Sequence, residues 1–179
     1  PAAAFAQFKT VADGGAAGYK ALALLQMGDI RLEENKTKEA VGYFDEAAKA
    51  APDAILGDLA RLKSAFALMD TASYKDIESR LTPLAGEKSP YRVYAKEALA
   101  FAKLQAGDVA GARGDFVVLA NSLDTTSDEV RQRAQAAMQL IDSGTAMDLA
   151  AAVKAAASLP ATPPIAAPPA AAVAPNAAQ

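Results

Sequence analysis

Alanine fills 47 of the 179 positions, and no other feature of this sequence constrains its fold as much. It is the best intrinsic helix former, yet its single methyl buries little area. Hydrophobic residues make up 52% of the chain, and about half of them are alanine. Such a chain must build a core by bringing helices close together, because it has few large side chains to insert. It also holds no cysteine, histidine or tryptophan. That excludes disulfides, zinc sites built on Cys or His, thiol nucleophiles and every imidazole-based triad. The net charge of −3 leaves no basic field for a phosphate backbone, so no nucleic-acid partner is expected. The expectation is an all-α protein that is not an enzyme and needs no cofactor or metal.

Proline and short polar turns divide the chain. Pro1, Pro52, Pro83 and Pro90 serve the first 157 residues, and six more prolines fall between Pro160 and Pro175. Residues 158–179 hold 15 Pro or Ala in 22 positions and no charge, which predicts a disordered, extended Pro/Ala tail. Turn signals at Asp13-Gly14-Gly15, Asn35-Lys36-Thr37, Pro52-Asp53, Asp70 to Ser73, Gly86 to Pro90, Gly107-Asp108 and Asn121 to Ser127 predict about seven helices. They cover 15–33, 37–51, 53–70, 74–85, 90–106, 109–121 and 127–143, with further helices over 2–12 and 145–157. The expected organisation is an N-terminal helix segment over 1–14, a helical domain over 15–143, a C-terminal helix within 144–157 and the tail. No run of 18 apolar residues suits a membrane span. Because the chain opens on Pro1 and not on Met, a preceding segment of the gene product is expected.

Leu24, Met27, Gly28, Ala40, Phe44, Ala47 and Pro52 fall at spacings that resemble the tetratricopeptide repeat, a helix-turn-helix unit of about 34 residues. Arg31 stands where that pattern has an aromatic. The resemblance implies that Gly28 and Ala40 face each other where the two helices come closest, that Phe44 fills the wedge beyond them, and that Pro52 stops the second helix. Ala65, Leu68, Ile77, Leu81 and Leu84 echo the pattern, as do Leu99, Ala100, Ala112, Phe116 and Leu119. One hairpin cannot bury both of its faces, so stacked neighbours are required. The expected architecture is an α-solenoid of about three hairpins, with residues 127–143 as a capping helix.

Three strings resemble a family of bacterial single-pass inner-membrane proteins with a periplasmic tetratricopeptide-like domain, which includes the ancillary subunit of the SecYEG translocon. They are Gly18-Tyr19-Lys20-Ala21-Leu22-Ala23-Leu24-Leu25-Gln26, Asp58 to Lys63 leading to Arg80-Leu81-Thr82-Pro83-Leu84, and Ser89-Pro90-Tyr91-Arg92 before Ala95. The resemblance covers about residues 1–143. It implies a membrane helix upstream of Pro1, a location on the periplasmic side of the inner membrane, and partners among the Sec translocon and envelope proteins.

In such a solenoid the first helix of each hairpin lines an inner groove. The lining positions map to Leu59, Leu62, Phe66 and Met69 in the second repeat and to Tyr94, Glu97, Phe101 and Leu104 in the third. The spacing i, i+3, i+7, i+10 puts each set on one stripe of its helix. Met and aromatic side chains suit recognition of varied apolar segments. The functional expectation is capture of an apolar peptide or partner helix. The alternatives are that the stripes are plain core, packed against an adjacent helix or against residues 1–12 folded back, or a scaffold that holds one folded partner or self-associates. The repeat-one positions Leu22, Leu25 and Asp29 lack the Lys and Asn of the tetratricopeptide domains that clamp acidic C-termini. Gly14 to Gly18 is no phosphate loop, since no strand precedes it and no Gly-Lys-Ser/Thr follows.

Overall fold

The computed structural model describes residues 2–122 and 126–145. Among these residues the chain is all-helical. Its eight helices are α1 (Ala2–Gly14), α2 (Ala17–Glu33), α3 (Thr37–Ala50), α4 (Ala54–Leu68), α5 (Tyr74–Leu81), α6 (Arg92–Gln105), α7 (Val109–Asn121) and α8 (Asp128–Asp142). The expected helix over 145–157 and the tail lie outside the described residues, apart from Thr145.

Local chemistry explains the boundaries. Asp53, Ser73, Asp108 and Ser127 precede α4, α5, α7 and α8, and each side chain accepts a hydrogen bond from a backbone N–H of the first turn. Ala51, the residue before Pro52, is extended with ψ 132°, which ends α3 as a proline dictates. The expected helix over 74–85 is shorter than its pattern suggests. It ends at Leu81 and tightens into a 3₁₀ turn over Thr82–Ala85, with Pro83 in that first turn, where its missing N–H costs nothing.

Each helix packs on the next in the chain, and α2 also touches α4, as α6 touches α8. The core divides into three clusters, each centred on one odd-numbered helix. Ala40, Phe44 and Ala47 of α3 lie among Leu24, Leu25 and Met27 of α2, Ala12 of α1 and Ala60 of α4. Ile77 and Leu81 of α5, with Leu84, lie between Leu62 and Ala65 of α4 and Ala95, Ala98 and Ala102 of α6. Ala112, Phe116 and Leu119 of α7 lie between Ala100 of α6 and Val130, Ala134 and Ala137 of α8. Four of the largest fully buried side chains, Phe44, Ile77, Leu81 and Phe116, come from the odd helices, and small residues on the even ones help make room for them.

Gly28 illustrates the fit. The atoms nearest to a Cβ built there belong to the Phe44 ring, which it would overlap. The glycine is therefore needed for Phe44, and Ala40 is fully buried in the same cluster as that ring. Arg31 also finds a role. Its guanidinium lies 3.8 Å from the centroid of the Phe5 ring of α1, and Phe5 meets Tyr43 of α3 edge-on at 5.8 Å. A cation–aromatic stack with α1 stands where the repeat pattern has an aromatic.

Polar ties join helices across 34 and 35 residues of sequence. Lys63 of α4 bonds Asp29 of α2 at 2.7 Å, across 34 residues. Arg80 of α5 bonds Asp45 of α3 at 2.9 Å, across 35 residues. Between them sits Ser64, fully buried, whose hydroxyl donates to Asp45 at 2.7 Å and accepts from Arg80 at 2.8 Å. The buried hydroxyl is satisfied on both sides, which is what makes its burial tolerable.

Candidate functional site

A cleft of about 320 Å³ opens between α4, α6 and α8. Phe66 and Met69 form its wall at the end of α4, and Ala98, Phe101 and Gln105 form the α6 side. Glu97 and Arg133 complete the lining. Every contributing helix is even-numbered, so the cleft lies on the side away from the cluster-filling α5 and α7.

Rigid packing sets the apolar walls. Phe101 is half-buried and leans edge-on against the buried Phe116 of α7, with ring centroids 4.9 Å apart and planes at 67°. One ring edge is fixed by the core while the rest borders the cleft. Phe66 is 47% exposed, with its side chain bordering the cleft. The polar wall is an ion pair. Arg133 donates from Nε at 2.7 Å and Nη2 at 2.8 Å to the two carboxylate oxygens of Glu97, across 36 residues. The Glu97 side chain is only 9% exposed, so the fork-to-fork geometry supplies the neutralisation that its burial demands. The hydrogen bond to Glu97 raises the Arg133 pKa above its ordinary value, with burial opposing it, so the guanidinium stays charged at any working pH.

The chemistry on offer is binding. The cleft presents apolar surface with one internally neutralised pair, which suits an apolar side chain or a short apolar segment. Among the described residues no group of three or more Asp and Glu is arranged to hold a metal ion. No described helix is long and apolar enough to cross a membrane.

The structure brings four residues of the two expected stripes together, Phe66, Met69, Glu97 and Phe101. It places the other four elsewhere. Leu62 is 5% exposed and belongs to the second core cluster. Leu59 is half-buried against the first cluster and Leu104 against the third. Tyr94 is 43% exposed, one helical turn before Glu97 and outside the cleft lining. The chain's N-terminal segment does not fill the cleft, because α1 packs on α2 and none of its residues lines the opening. Of the residues expected to pack the repeats, Leu24, Met27, Gly28, Ala40, Phe44, Ala47, Ala112 and Phe116 are all buried, and Pro52 is exposed at the end of α3.

Ala98, Gln105 and Arg133 lie outside both expected stripes. The signal for Arg133 was present as an opposite charge 36 residues after Glu97, close to the separations of the Asp29–Lys63 and Asp45–Arg80 ties. No family model, no curated protein and no solved structure matches this chain.

Proposed function

We propose that this chain is a protein-interaction module that captures apolar segments of other proteins in the α4–α6–α8 cleft, without chemistry of its own. The observation that carries this reading is the cleft itself, where Phe66, Met69 and Phe101 border open space beside a self-neutralised ion pair. The proposed architecture is a tetratricopeptide-like solenoid. Its support is that helices pack on their chain neighbours, that the cluster-filling residues recur every 35 to 37 positions (Phe44, Leu81, Phe116), and that the cleft draws only on alternate helices. The resemblance to periplasmic domains of single-pass inner-membrane proteins adds the proposed setting. There the module would be tethered beside the Sec translocon and would hold envelope proteins as they emerge.

Phe66→Ser separates binding from stability, because the side chain is half in solvent already. The variant should bind a permanently unfolded, carboxymethylated test protein at least tenfold more weakly, with a melting shift of a few degrees at most. Unchanged binding would remove the cleft from the mechanism. A folded partner held at unchanged affinity by both forms would favour a fixed scaffold.

A further inference from the structure

The two walls of the cleft belong to parts of the molecule that are each tied within themselves. In α1–α5, Lys63 joins α4 to α2, and Arg80 with Ser64 joins α5 to α3 and α4. In α6–α8, Lys103 of α6 bonds Asp115 of α7 at 2.7 Å. Arg113 of α7 holds Asp142 of α8 through Nε at 2.7 Å and Nη2 at 2.9 Å, and Arg133 returns from α8 to Glu97 of α6. Among the described residues, no hydrogen bond or ion pair joins α4 or α5 to α6. The contact between the two parts is apolar, with Ile77 and Leu81 of α5 and the following Leu84 lying against Ala95, Ala98 and Ala102 of α6. Helix α5 has eight residues, the shortest of those described, and runs straight into the 3₁₀ turn. A short helix resting on alanine methyls has little relief to lock into, which suits small sliding motions between packed elements.

The junction is pinned away from the cleft. Ser89, in the turn before α6, donates from its hydroxyl to Asp58, in the second turn of α4, at 3.2 Å. Phe66 and Met69 lie at the other end of α4, as Phe101 and Gln105 lie toward the other end of α6. At that end the tie of the first hairpin has no counterpart. The 37-residue displacement that carries Gly28 onto Ala65 carries Asp29 onto Phe66. The 35-residue displacement that carries Ala65 onto Ala100 carries Lys63 onto Ala98. Where α2 and α4 share an ion pair, α4 and α6 thus present a ring and a methyl, and both line the cleft.

We propose that α1–α5 and α6–α8 are two rigid arms that pivot where Ser89 meets Asp58, so that the cleft widens to admit an occupant and closes on it. The closure rests on the client-binding reading, which supplies the occupant, whereas the pivot does not need it.

The chain has no cysteine, so pairs of introduced cysteines place spin labels unambiguously. In the full chain, Lys38→Cys with Gln139→Cys measures across the arms. Lys20→Cys with Lys38→Cys measures within the first arm, and Lys96→Cys with Gln139→Cys within the second. All four positions are exposed. In the free protein the distance distribution across the arms should be at least twice as wide as either distribution within an arm. Equal widths would overturn the proposal, whether or not anything binds. A saturating amount of the carboxymethylated test protein should narrow the cross-arm distribution to the within-arm width and shift its mean by more than about 2 Å, with the other two pairs unchanged. Binding with an unaltered cross-arm distribution would overturn the closure and leave the client-binding reading standing. A wide distribution in a protein that binds no test protein would support the pivot and overturn that reading instead.

Discussion

The first hairpin, α2–α3, and the second, α4–α5, solve one packing problem with different side chains. In the first, Gly28 makes room for the Phe44 ring, and in the second the matching positions are Ala65 and Leu81, both fully buried. A methyl gained on one helix is matched by a smaller side chain on the other, so the joint volume is roughly kept. The hairpins differ more on the cleft side. Asp29 of α2 is occupied by Lys63, while its counterpart Phe66 of α4 faces open space. The first hairpin also carries α1 against its side through Phe5 and Phe8. The lesson is that complementary pairs keep each hairpin closed inside, which frees the outward positions to be charged in one and apolar in the next.

The largest expected effect comes from emptying the filler. Phe44→Ala should destabilise the protein by about 3–5 kcal/mol and Leu81→Ala by about 2–5 kcal/mol, both read from denaturant unfolding. A loss near zero at Phe44 would contradict the repeat register and with it the comparison. The second expectation sharpens the pairing. Gly28→Ala gains helix propensity but drives a methyl into a ring with no room to move, for a net loss of about 1–3 kcal/mol. Adding Phe44→Leu should recover part of that loss, since it recreates the Ala–Leu pair of the second hairpin. Strict additivity of the two losses would show that the volumes are not coupled.

The smallest effect concerns the turn of the first hairpin. Hydrogen bonds from Lys36 and then Arg31 lower the Glu34 pKa. A carboxylate with a depressed folded-state pKa contributes stability above its unfolded value, which is lost as the pH falls through the folded one. Glu34→Gln should therefore melt slightly below the wild type at pH 7, with the gap closing below about pH 4. The side chain is partly exposed to solvent, so salt should shrink the gap as well. A gap that persists unchanged in acid would assign the effect to something other than the charge.

Much of the fold could be read in the residues. Asp53, Asp108 and Ser127 mark helix starts because a cap acts within one turn, and Pro52 ends α3 by a steric effect on its immediate neighbour. Phe44, Leu81 and Phe116 declared themselves as fillers by their common spacing. The cleft was only half legible. Leu62 and Phe66 belong to one stripe four residues apart, yet one is core and the other faces space. Residues four apart lie one turn along the helix and about 40° around it, so neighbours on one stripe need not meet the same partner. The place of Ser64 between Asp45 and Arg80 needs three helices in register, which no local pattern shows.

Composition and local pattern were sufficient to determine an all-helical chain, the places where its rods begin and end, the small positions that let them approach, and the absence of imidazole and thiol chemistry. All of these act within a few residues along the backbone. The tertiary structure alone decided that Phe66, Met69 and Phe101 share an opening, that Glu97 is neutralised by Arg133, and that Arg31 stacks on Phe5. Each depends on the rotation of one helix against another, which is set by how side chains some 26 to 36 residues apart fill the space between them.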